Sequence, residues 1–393
     1  MKETKFKDTE LGEIPEEWSV VTFEEIGVFS KGKGISRSEA NSGLIPAIRY
    51  GEIYTKHHNY IKEYGSFISH EVAVTSRKLK KGDLLFTASG ETKEEIGKSV
   101  AFISSEVAYA GGDIIILTPT REIDALYLGY ASNVSFVQKQ KSTKGQGDAV
   151  VHITTNSLKN IKLLAPSLAE QQRIASALSD ADALVAELDA LIEKKRAIMA
   201  GTMQELLTGK RRLQGFSEPW VERTIEDFAK ITTGASNTQD QAPFGIFPFY
   251  IRSASVMKSN RFLYDCEGVI TIGDGQIGKV FHYVNGKFDL HQRCYLIYDF
   301  YDVDAKFFYY IFSAFFYERA IALSAKATVD SVRRDMIAKM KVDLPSLAEQ
   351  RAIASILSDM DAEIAELEAK RDKYKEVRQG MMQQLLTGKI RLI

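Results

Sequence analysis

A long internal repeat constrains the fold of this chain more than any other feature of its sequence. Residues 166–213 read PSLAEQQRIASALSDADALVAELDALIEKKRAIMAGTMQELLTGKRRL, and residues 345–392 align with them without a gap, 179 positions later. The two stretches are identical at 29 of 48 positions. Self-similarity at a fixed offset marks a duplicated architecture. The 393-residue chain is therefore expected to consist of two related halves.

Each repeat is typical of one long α-helix. Ser167 and Ser346 are followed three residues later by Glu170 and Glu349, which is the pattern of a capping box. Apolar residues then recur in alternating steps of four and three, as in the seam of a coiled coil. The seam positions are Ile174, Leu178, Ala181, Val185, Leu188, Ile192, Met199 and Leu206 in the first copy, and Ile353, Leu357, Met360, Ile364, Leu367, Tyr374, Met381 and Leu385 in the second.

Charged residues interrupt this seam at Lys195, Arg371 and Arg378. A helix of about 40 residues is a rod of about 60 Å, and it cannot bury an apolar seam by itself. We expect the two helices to pair with each other as an antiparallel coiled coil. The alternative is that each one is a core helix of a larger domain.

The stretches between the helices also correspond, since Trp18 and Trp220 occupy similar positions near their starts. The order is therefore globular, helical, globular, helical. We predict an α+β protein in which two mixed α/β domains alternate with two long helices in a pseudo-twofold internal duplication. The predicted limits are 1–165 and 214–344 for the domains, and 166–213 and 345–393 for the helical spacers.

Composition excludes several classes of protein. The chain has 51 basic and 52 acidic residues, so a nucleic-acid partner would need a local positive surface or help from another subunit. No apolar run approaches the roughly 18 residues of a membrane span. Cys266 and Cys294 are the only cysteines, which favours a reducing cytoplasm. Without C-x-x-C spacing, we expect both to be buried free thiols rather than metal ligands beside His282 and His291.

The stretch VITIGDGQIGKVFHYVNGKF, residues 269–288, contains two glycine patterns that occur in phosphate-binding loops. A P-loop needs a helix that begins at the lysine and a Ser or Thr after it. Here Val280 follows Lys279, and β-forming residues continue to Asn285-Gly286, which is a strong hairpin signal. We therefore predict a strand–loop–strand, not a nucleotide site.

The sequence resembles the specificity subunits of type I restriction–modification systems. In that family, a P-x-x-E-Q-x-x-I element opens each of two long helices that alternate with two target-recognition domains. Both copies match here, and so do the LTGK helix ends. The matching residues are Pro166, Glu170, Gln171 and Ile174 in the first copy and Pro345, Glu349, Gln350 and Ile353 in the second.

The resemblance implies a cytoplasmic, non-catalytic subunit that recognises double-stranded DNA and needs no cofactor of its own. Two DNA adenine methyltransferase subunits dock on its helices and supply S-adenosylmethionine chemistry, and two restriction subunits can join them. Rods longer than one DNA turn, about 34–36 Å, are expected to separate two reading domains. The target would then be bipartite, and asymmetric because the two domains differ in their loops.

Reading bases requires donors and acceptors in the major groove, and phosphate contacts fix the register. We expect polar loop residues of both domains to make these contacts. The candidates are Lys31, Lys33, Arg37, Ser89, Glu91, Lys93, Lys141, Lys144 and Gln146 in the first domain, and Arg252, Asp274, Gln276, Gln292, Arg293, Lys326, Arg333 and Arg334 in the second.

Three other functions stay open at the level of sequence. One is a coiled-coil scaffold that joins two protein-binding domains without reading DNA. Another is an enzyme that uses the GDGQIGK loop. The last is a specificity subunit of a related system in which methylation and cleavage are fused in one partner chain.

Overall fold

The computed structural model describes residues 4–147, 150–324 and 331–393. The chain divides into two compact units. The first unit comprises residues 1–187 and 370–393, and the second comprises residues 188–369. Within the described ranges, no helix combines the length and the apolar character that a membrane span requires.

The first globular domain is built from short strands and short helices. Its strands are β1 (Phe6–Thr9), β2 (Gly12–Pro15), β3 (Ser19–Thr22), β4 (Gly27–Lys31), β5 (Ile45–Ile48), β6 (Asn59–Tyr60), β7 (Ser66–Ile68), β8 (Arg77–Lys78), β9 (Leu84–Thr87), β10 (Ser89–Gly90), β11 (Ser99–Ala101), β12 (Tyr109–Ala110), β13 (Ile114–Pro119), β14 (Val151–His152) and β15 (Lys162–Ala165). Its helices are α1 (Phe23–Ile26), α2 (Tyr50–Thr55), α3 (His70–Thr75), α4 (Ala125–Ala131), α5 (Ser135–Lys144) and α6 (Thr155–Lys159).

The second globular domain lies between two long helices of 39 residues each, α7 (Leu168–Leu206) and α10 (Leu347–Leu385). Its helices are α8 (Ala305–Ser324) and α9 (Arg334–Ala338), with two short 3-10 turns at Ile225–Asp227 and Thr238–Asp240. Its strands are β16 (Val221–Thr224), β17 (Lys230–Thr233), β18 (Phe247–Tyr250), β19 (Val256–Ser259), β20 (Tyr264–Ile272), β21 (Phe281–Leu290), β22 (Cys294–Tyr298) and β23 (Lys341–Leu344).

The two domains repeat the same strand connectivity. In the first, β4, β13, β9 and β11 are consecutive antiparallel neighbours, and in the second β17, β22, β20 and β21 take the same order. Each domain also contains an equivalent parallel pair, β5 with β12 in a separate four-stranded sheet of the first domain and β18 with β21 in the six-stranded sheet of the second. The internal duplication therefore extends beyond the helices to the sheets.

In each domain the first strand after the tryptophan pairs with the last strand before the long helix. Strand β3 is antiparallel to β15, and β16 is antiparallel to β23. This pairing brings Trp18 next to the start of α7 in the first unit, and Trp220 next to the start of α10 in the second.

Both long helices are confirmed, and their pairing is antiparallel. In the first unit, Asp182 of α7 pairs with Arg378 of α10 at 2.8 Å, and Glu170 near the start of α7 pairs with Arg391 beyond the end of α10. In the second unit, Lys195 of α7 pairs with Glu363 of α10 at 2.5 Å. Two of the charges that interrupt the seam, Lys195 and Arg378, are therefore neutralised by acidic residues on the opposing helix.

Most of the predicted seam is buried, but not between the two helices alone. Ile174 and Leu178 pack in one apolar core with Trp18 and Phe23 of the first domain. In the second unit the seam residues share a core with the aromatic face of α8. The coiled-coil and core-helix interpretations therefore both hold, because each helix packs on a globular domain as well as on its partner.

One sequence expectation about a turn is wrong. Asn285-Gly286 does not form a hairpin but lies inside β21, where the two residues face Glu267 and Cys266 of β20. The chain reverses instead at the GDGQIGK stretch between β20 and β21. The predicted strand–loop–strand is confirmed, but its reversal lies at the glycine-rich loop, and Gly286 adopts φ +106° within the strand.

Candidate nucleic-acid interface

The glutamate of the helix-opening motif is buried in a three-residue clamp. In the first unit, Arg391 donates two hydrogen bonds to the Glu170 carboxylate, at 2.5 and 2.7 Å. The Trp18 indole N–H donates to the same carboxylate at 3.0 Å, and the guanidinium lies 5.8 Å from the Trp18 ring centroid. The side chains of Arg391 and Glu170 are only 8% and 3% exposed.

The second unit repeats the clamp, with Glu349 in the place of Glu170 and Arg212 in the place of Arg391, each 179 positions away in the sequence. Arg212 donates two hydrogen bonds of 2.7 Å to Glu349 and lies 5.6 Å from the centroid of the Trp220 ring. Two differences stand out. The Arg212 side chain is 26% exposed, and the buried Trp220 indole nitrogen has no hydrogen-bond partner.

The predicted capping boxes therefore form only in part. Ser167 and Ser346 accept hydrogen bonds from the backbone N–H of Glu170 and Glu349, at 3.3 and 3.4 Å. The glutamate carboxylates, however, serve the arginine clamps. The sequence pattern could not reveal this, since the arginines follow the other long helix.

The motif glutamines also hold the scaffold together. Gln171 accepts a hydrogen bond from the Asp124 N–H at 2.9 Å and donates to the Pro166 carbonyl at 2.9 Å. Gln350 makes the equivalent bonds to the Asp304 N–H and the Pro345 carbonyl, also at 2.9 Å.

Ile174 and Ile353 are buried, as are both prolines. The eight motif residues are thus structural, and none is placed to contact a ligand.

In the second domain, three predicted residues meet in one polar cluster. Asp274 accepts hydrogen bonds from Arg252 at 3.1 and 3.2 Å and from Arg293 at 2.7 Å. Partial burial opposes ionisation of Asp274, but the hydrogen bonds from Arg293 and Arg252 outweigh it and hold the pKa of its carboxyl below the usual range. The cluster is therefore one anion held between two exposed cations.

This cluster borders an open cleft of about 220 Å³. Gln292 and Tyr295 also line the cleft. Arg293 lines the cleft and its side chain is 63% exposed, whereas Arg252, at 45% exposure, lies beside the cleft through its ion pair with Asp274. A ligand at or beside the cleft would therefore meet two planar guanidinium donors, one carboxylate acceptor and the Gln292 amide.

The remaining candidates of the second domain lie close to this cleft along the chain. Gln276 is exposed on the same loop. The backbone of Val332 bonds to Gly273 at 2.8 Å, so the exposed Arg333 and Arg334 begin beside the loop. Lys326 lies outside the described residues. Sequence reasoning missed Asn237, whose side-chain oxygen accepts a 2.5 Å hydrogen bond from Gln292.

In the first domain, the structure brings Ser89 and Gln146 together around a residue that sequence reasoning missed. Strand β10, which carries Ser89, pairs with β14, and the Ser89 hydroxyl lies 3.0 Å from His152 Nδ1. Gln146 exchanges two backbone hydrogen bonds with His152, at 2.8 and 2.9 Å. The nearby residues Glu91, Lys93 and Lys144 are exposed.

The basic residues Lys31, Lys33 and Arg37 are exposed, but they belong to a different segment. This segment begins at Lys31, the last residue of β4, and is held by a 3.1 Å hydrogen bond from the Lys33 N–H to the Ala110 carbonyl of β12. Among the described residues, no hydrogen bond or ion pair joins them to Ser89.

The expectation for Lys141 is corrected. Its side chain is fully buried, and its Nζ donates to the Gly97 carbonyl at 2.7 Å. Burial lowers the pKa of Lys141 to about 7. Because the ammonium is enclosed by the domain, it does not form part of a DNA-contacting surface.

Neither metal chemistry nor disulfide formation is indicated within the described residues. Among these, no group of three or more His, Cys, Asp or Glu side chains is arranged to hold a metal ion. Cys266 and Cys294 are both free thiols, the first half-buried and the second buried. Burial raises the pKa of Cys294 to about 12.

Comparison with known proteins agrees with this architecture along the whole chain. The family model of the type I restriction modification DNA specificity domain matches twice, at residues 15–195 and 217–376. The type I restriction enzyme MjaVIII specificity subunit of Methanocaldococcus jannaschii is 25% identical, and the alignment covers 100% of this chain and 97% of that protein.

Two solved structures share the fold. The S subunit of a type I restriction-modification system from M. genitalium superposes with a TM-score of 0.69 at 14% identity, over 94% of this chain and 96% of that one. A chain from a structure described as explaining complex assembly and conformational transition of the type I R-M system gives 0.57 at 15% identity, over 96% and 99%.

The duplicated domains, the duplicated helices and a family match in both halves lead to one conclusion: this chain belongs to the type I restriction-modification DNA specificity family.

Proposed function

We propose that this chain is the non-catalytic DNA-reading subunit of a type I restriction–modification complex. It reads a bipartite, asymmetric target, one half through each globular domain, with domain limits at 1–165 and 214–344. Its partners are double-stranded DNA, two adenine methyltransferase subunits and, through them, two restriction subunits. It needs no cofactor of its own and works in the cytoplasm, where these partners meet DNA.

The observation that carries the proposal is the cluster of Arg252, Asp274 and Arg293 at an open cleft. Guanidinium groups donate in pairs to guanine O6 and N7, or to phosphate oxygens, and a carboxylate accepts from cytosine N4. Asp274 also fixes the orientation of both arginines before a ligand arrives. Such preorganisation reduces the entropy lost on binding.

The two halves of the target are expected to differ, because equivalent loops carry different chemistry. The loop between β20 and β21 offers Asp274 and Gln276, and the paired arginines come from neighbouring segments, Arg252 after β18 and Arg293 before β22. The loop after β9 offers Ser89, with His152 beside it, and a charged tip. The same scaffold with different donors and acceptors would read different base pairs.

The charge of the chain supports a shared interface with other subunits. With 51 basic and 52 acidic residues, it has little long-range attraction for DNA phosphates. We propose that the methyltransferase subunits supply much of the phosphate neutralisation. The isolated chain then binds DNA weakly, and the affinity falls steeply with added salt.

The test is to co-express the chain with its methyltransferase partner in a host without DNA methylation and to map N6-methyladenine across the genome. The wild type should methylate one split motif with a fixed spacer. Arg293→Ala should relax or abolish the half of the motif that the second domain reads and leave the other half unchanged, since each good bidentate contact contributes about 1–3 kcal/mol of discrimination.

Lys230→Ala is the matched control. Lys230 is an exposed cation of the same domain, paired with Asp299 at the end of β17 away from the cleft. It should leave the motif unchanged. A co-purifying complex that produces no methylation would contradict DNA reading, and an unchanged motif in Arg293→Ala would remove the cleft from the interface.

A further inference from the structure

The candidate reading loop of the first domain, residues 91–97, is held from beneath by side chains of α5. Gln138 donates from Nε2 to the Glu94 carbonyl at 2.8 Å and to the Ile96 carbonyl at 2.9 Å. Lys141 donates from Nζ to the Gly97 carbonyl at 2.7 Å. Three carbonyls of one irregular segment are thus fixed by two side chains.

These two side chains are three residues apart on α5, so they lie on the same face of the helix. On the other side of the loop, residues 91–95 are exposed. The backbone carbonyls therefore turn inward to α5 while the side chains at the tip point to solvent. This is the arrangement that a surface needs if its side chains are to hold defined positions for a ligand.

A buried lysine is a costly way to anchor a loop. Among the described residues, the Lys141 ammonium has the Gly97 carbonyl as its hydrogen-bond partner and forms no ion pair. A buried charge with so little compensation destabilises the folded state relative to a hydrocarbon side chain of the same shape. The lowered pKa of Lys141 reflects the same cost. Stability alone therefore does not account for this residue.

At the equivalent glycine, the second domain uses helix backbone instead of a lysine. Gly97 and Gly278 occupy the same place in the two I-G-K sequences, and both have positive φ, +68° and +65°. Gly278 packs directly on α8, where an added Cβ would lie 2.9 Å from the Cα of Tyr317. An added Cβ at Gly97 would instead meet the Cδ of Lys141, at 3.2 Å. Lys141 thus fills the space that the helix backbone fills in the second domain.

We propose that Gln138 and Lys141 are positioning residues that fix the 91–97 loop for target reading by the first domain, an inference that rests on the proposed function. Neither touches DNA. Each acts through the loop, because its hydrogen bonds set the backbone path from which Glu91 and Lys93 project. A loss of these bonds loosens the loop without opening the domain core.

The test uses Lys141→Met in the full chain. Methionine keeps an unbranched apolar stem and removes the buried charge, so the melting temperature should be unchanged or higher. Amide hydrogen exchange in residues 91–97 should accelerate about tenfold, as expected for a lost hydrogen bond of about 1.4 kcal/mol. In the methyltransferase complex, discrimination at the first domain's half-site should fall about tenfold, with the other half-site unchanged.

Lys139→Met is the matched control, since Lys139 is an exposed lysine of the same helix. It should change neither readout. Gln138→Leu provides a second variant at a half-buried position and should accelerate loop exchange in the same way, whether or not Lys141→Met folds.

Two results would overturn the inference. One is wild-type loop exchange in a folded Lys141→Met or Gln138→Leu chain, which is measurable without any partner. The other is faster exchange with the first half-site read as sharply as before. If the wild-type complex itself methylates nothing, the proposed function fails. The anchoring role is tested separately, because wild-type rates of amide exchange in residues 91–97 of the variants would contradict it.

Discussion

The Glu170 clamp allows a stability prediction that can be worked out from its geometry. The perturbation is Arg391→Met, which keeps most of the side-chain volume but removes both hydrogen bonds to the carboxylate. Glu170 would then remain buried with the Trp18 indole as its one clamp partner. Removal of one partner from a buried ion pair typically costs about 3–5 kcal/mol. Since the indole bond survives, we expect the first unit to lose about 2–4 kcal/mol.

The chain offers a reporter for this unit alone. It contains two tryptophans, Trp18 and Trp220, and each belongs to a different clamp. In a Trp220→Phe background, Trp18 fluorescence follows the unfolding of the first unit in urea. With a urea dependence of about 2–3 kcal/mol per molar, Arg391→Met should lower the midpoint by about 1 M.

Arg173→Met is the matched control, because exposed Arg173 contacts the same C-terminal segment through a 3.2 Å hydrogen bond to the Leu392 carbonyl. Its cost should stay within about 0.5 kcal/mol. A second substitution tests the mechanism. If the penalty comes from an uncompensated buried charge, Glu170→Gln added to Arg391→Met should recover part of the lost stability. Equal midpoints for Arg391→Met and Arg173→Met would refute the reasoning.

Three further predictions concern single ionisable groups. The pKa of Lys141 is about 7 in the folded chain and about 10.4 in the unfolded chain. Between these pH values the unfolded state binds more protons, so the free energy of unfolding of the wild type, relative to Lys141→Met, should rise from pH 7 to 9 by up to about 1.4 kcal/mol per pH unit in urea titrations. A difference that does not change with pH would contradict this. Asp274→Asn should free the charges of the two arginines and so raise the affinity for non-specific DNA. In fluorescence anisotropy, the slope of log affinity against log salt concentration should become steeper by about one unit. An unchanged slope would count against a DNA-facing cleft. Iodoacetamide at pH 8 should leave Cys294 unmodified in the native chain, whereas both cysteines should react in urea. Mass spectrometry measures the labelling, and rapid labelling of Cys294 in the native chain would contradict its burial.

The sequence was sufficient to predict features that rest on local or repeated patterns. The long helices followed from the heptad spacing and from their start and stop signals, and Gly209 and Gly388 do adopt positive φ where the helices end. The duplication followed from a direct alignment. The strand–loop–strand around Asp274 followed from the absence of any helix-forming stretch after Lys279. None of these depends on which distant residues come together.

Long-range packing decided the features that the sequence did not predict. Lys141 looks like a surface lysine on a polar helix, yet its side chain is fully buried and packs against Gly97. Asp182 looks like a solvated helix charge, yet it is buried between Tyr130 and Arg378, with hydrogen bonds of 2.6 and 2.8 Å. His152 carries no local motif at all. In each case the environment is set by segments far away along the chain, which a single sequence does not juxtapose.

The clamps and the loops follow opposite rules, and this contrast explains how such a chain can diverge. Glu170 and Glu349, with their arginines, keep the same spacing and nearly the same bond lengths in both units. The supports of the two loop glycines differ, with a side-chain hydrogen bond from Lys141 to the Gly97 carbonyl in one domain and helix backbone against Gly278 in the other. Since the loops and their supports share no hydrogen bond or ion pair with the clamps among the described residues, a reading loop can change together with its own support while the scaffold contacts stay fixed. A duplicated scaffold with independently supported loops is therefore suited to present two unrelated surfaces.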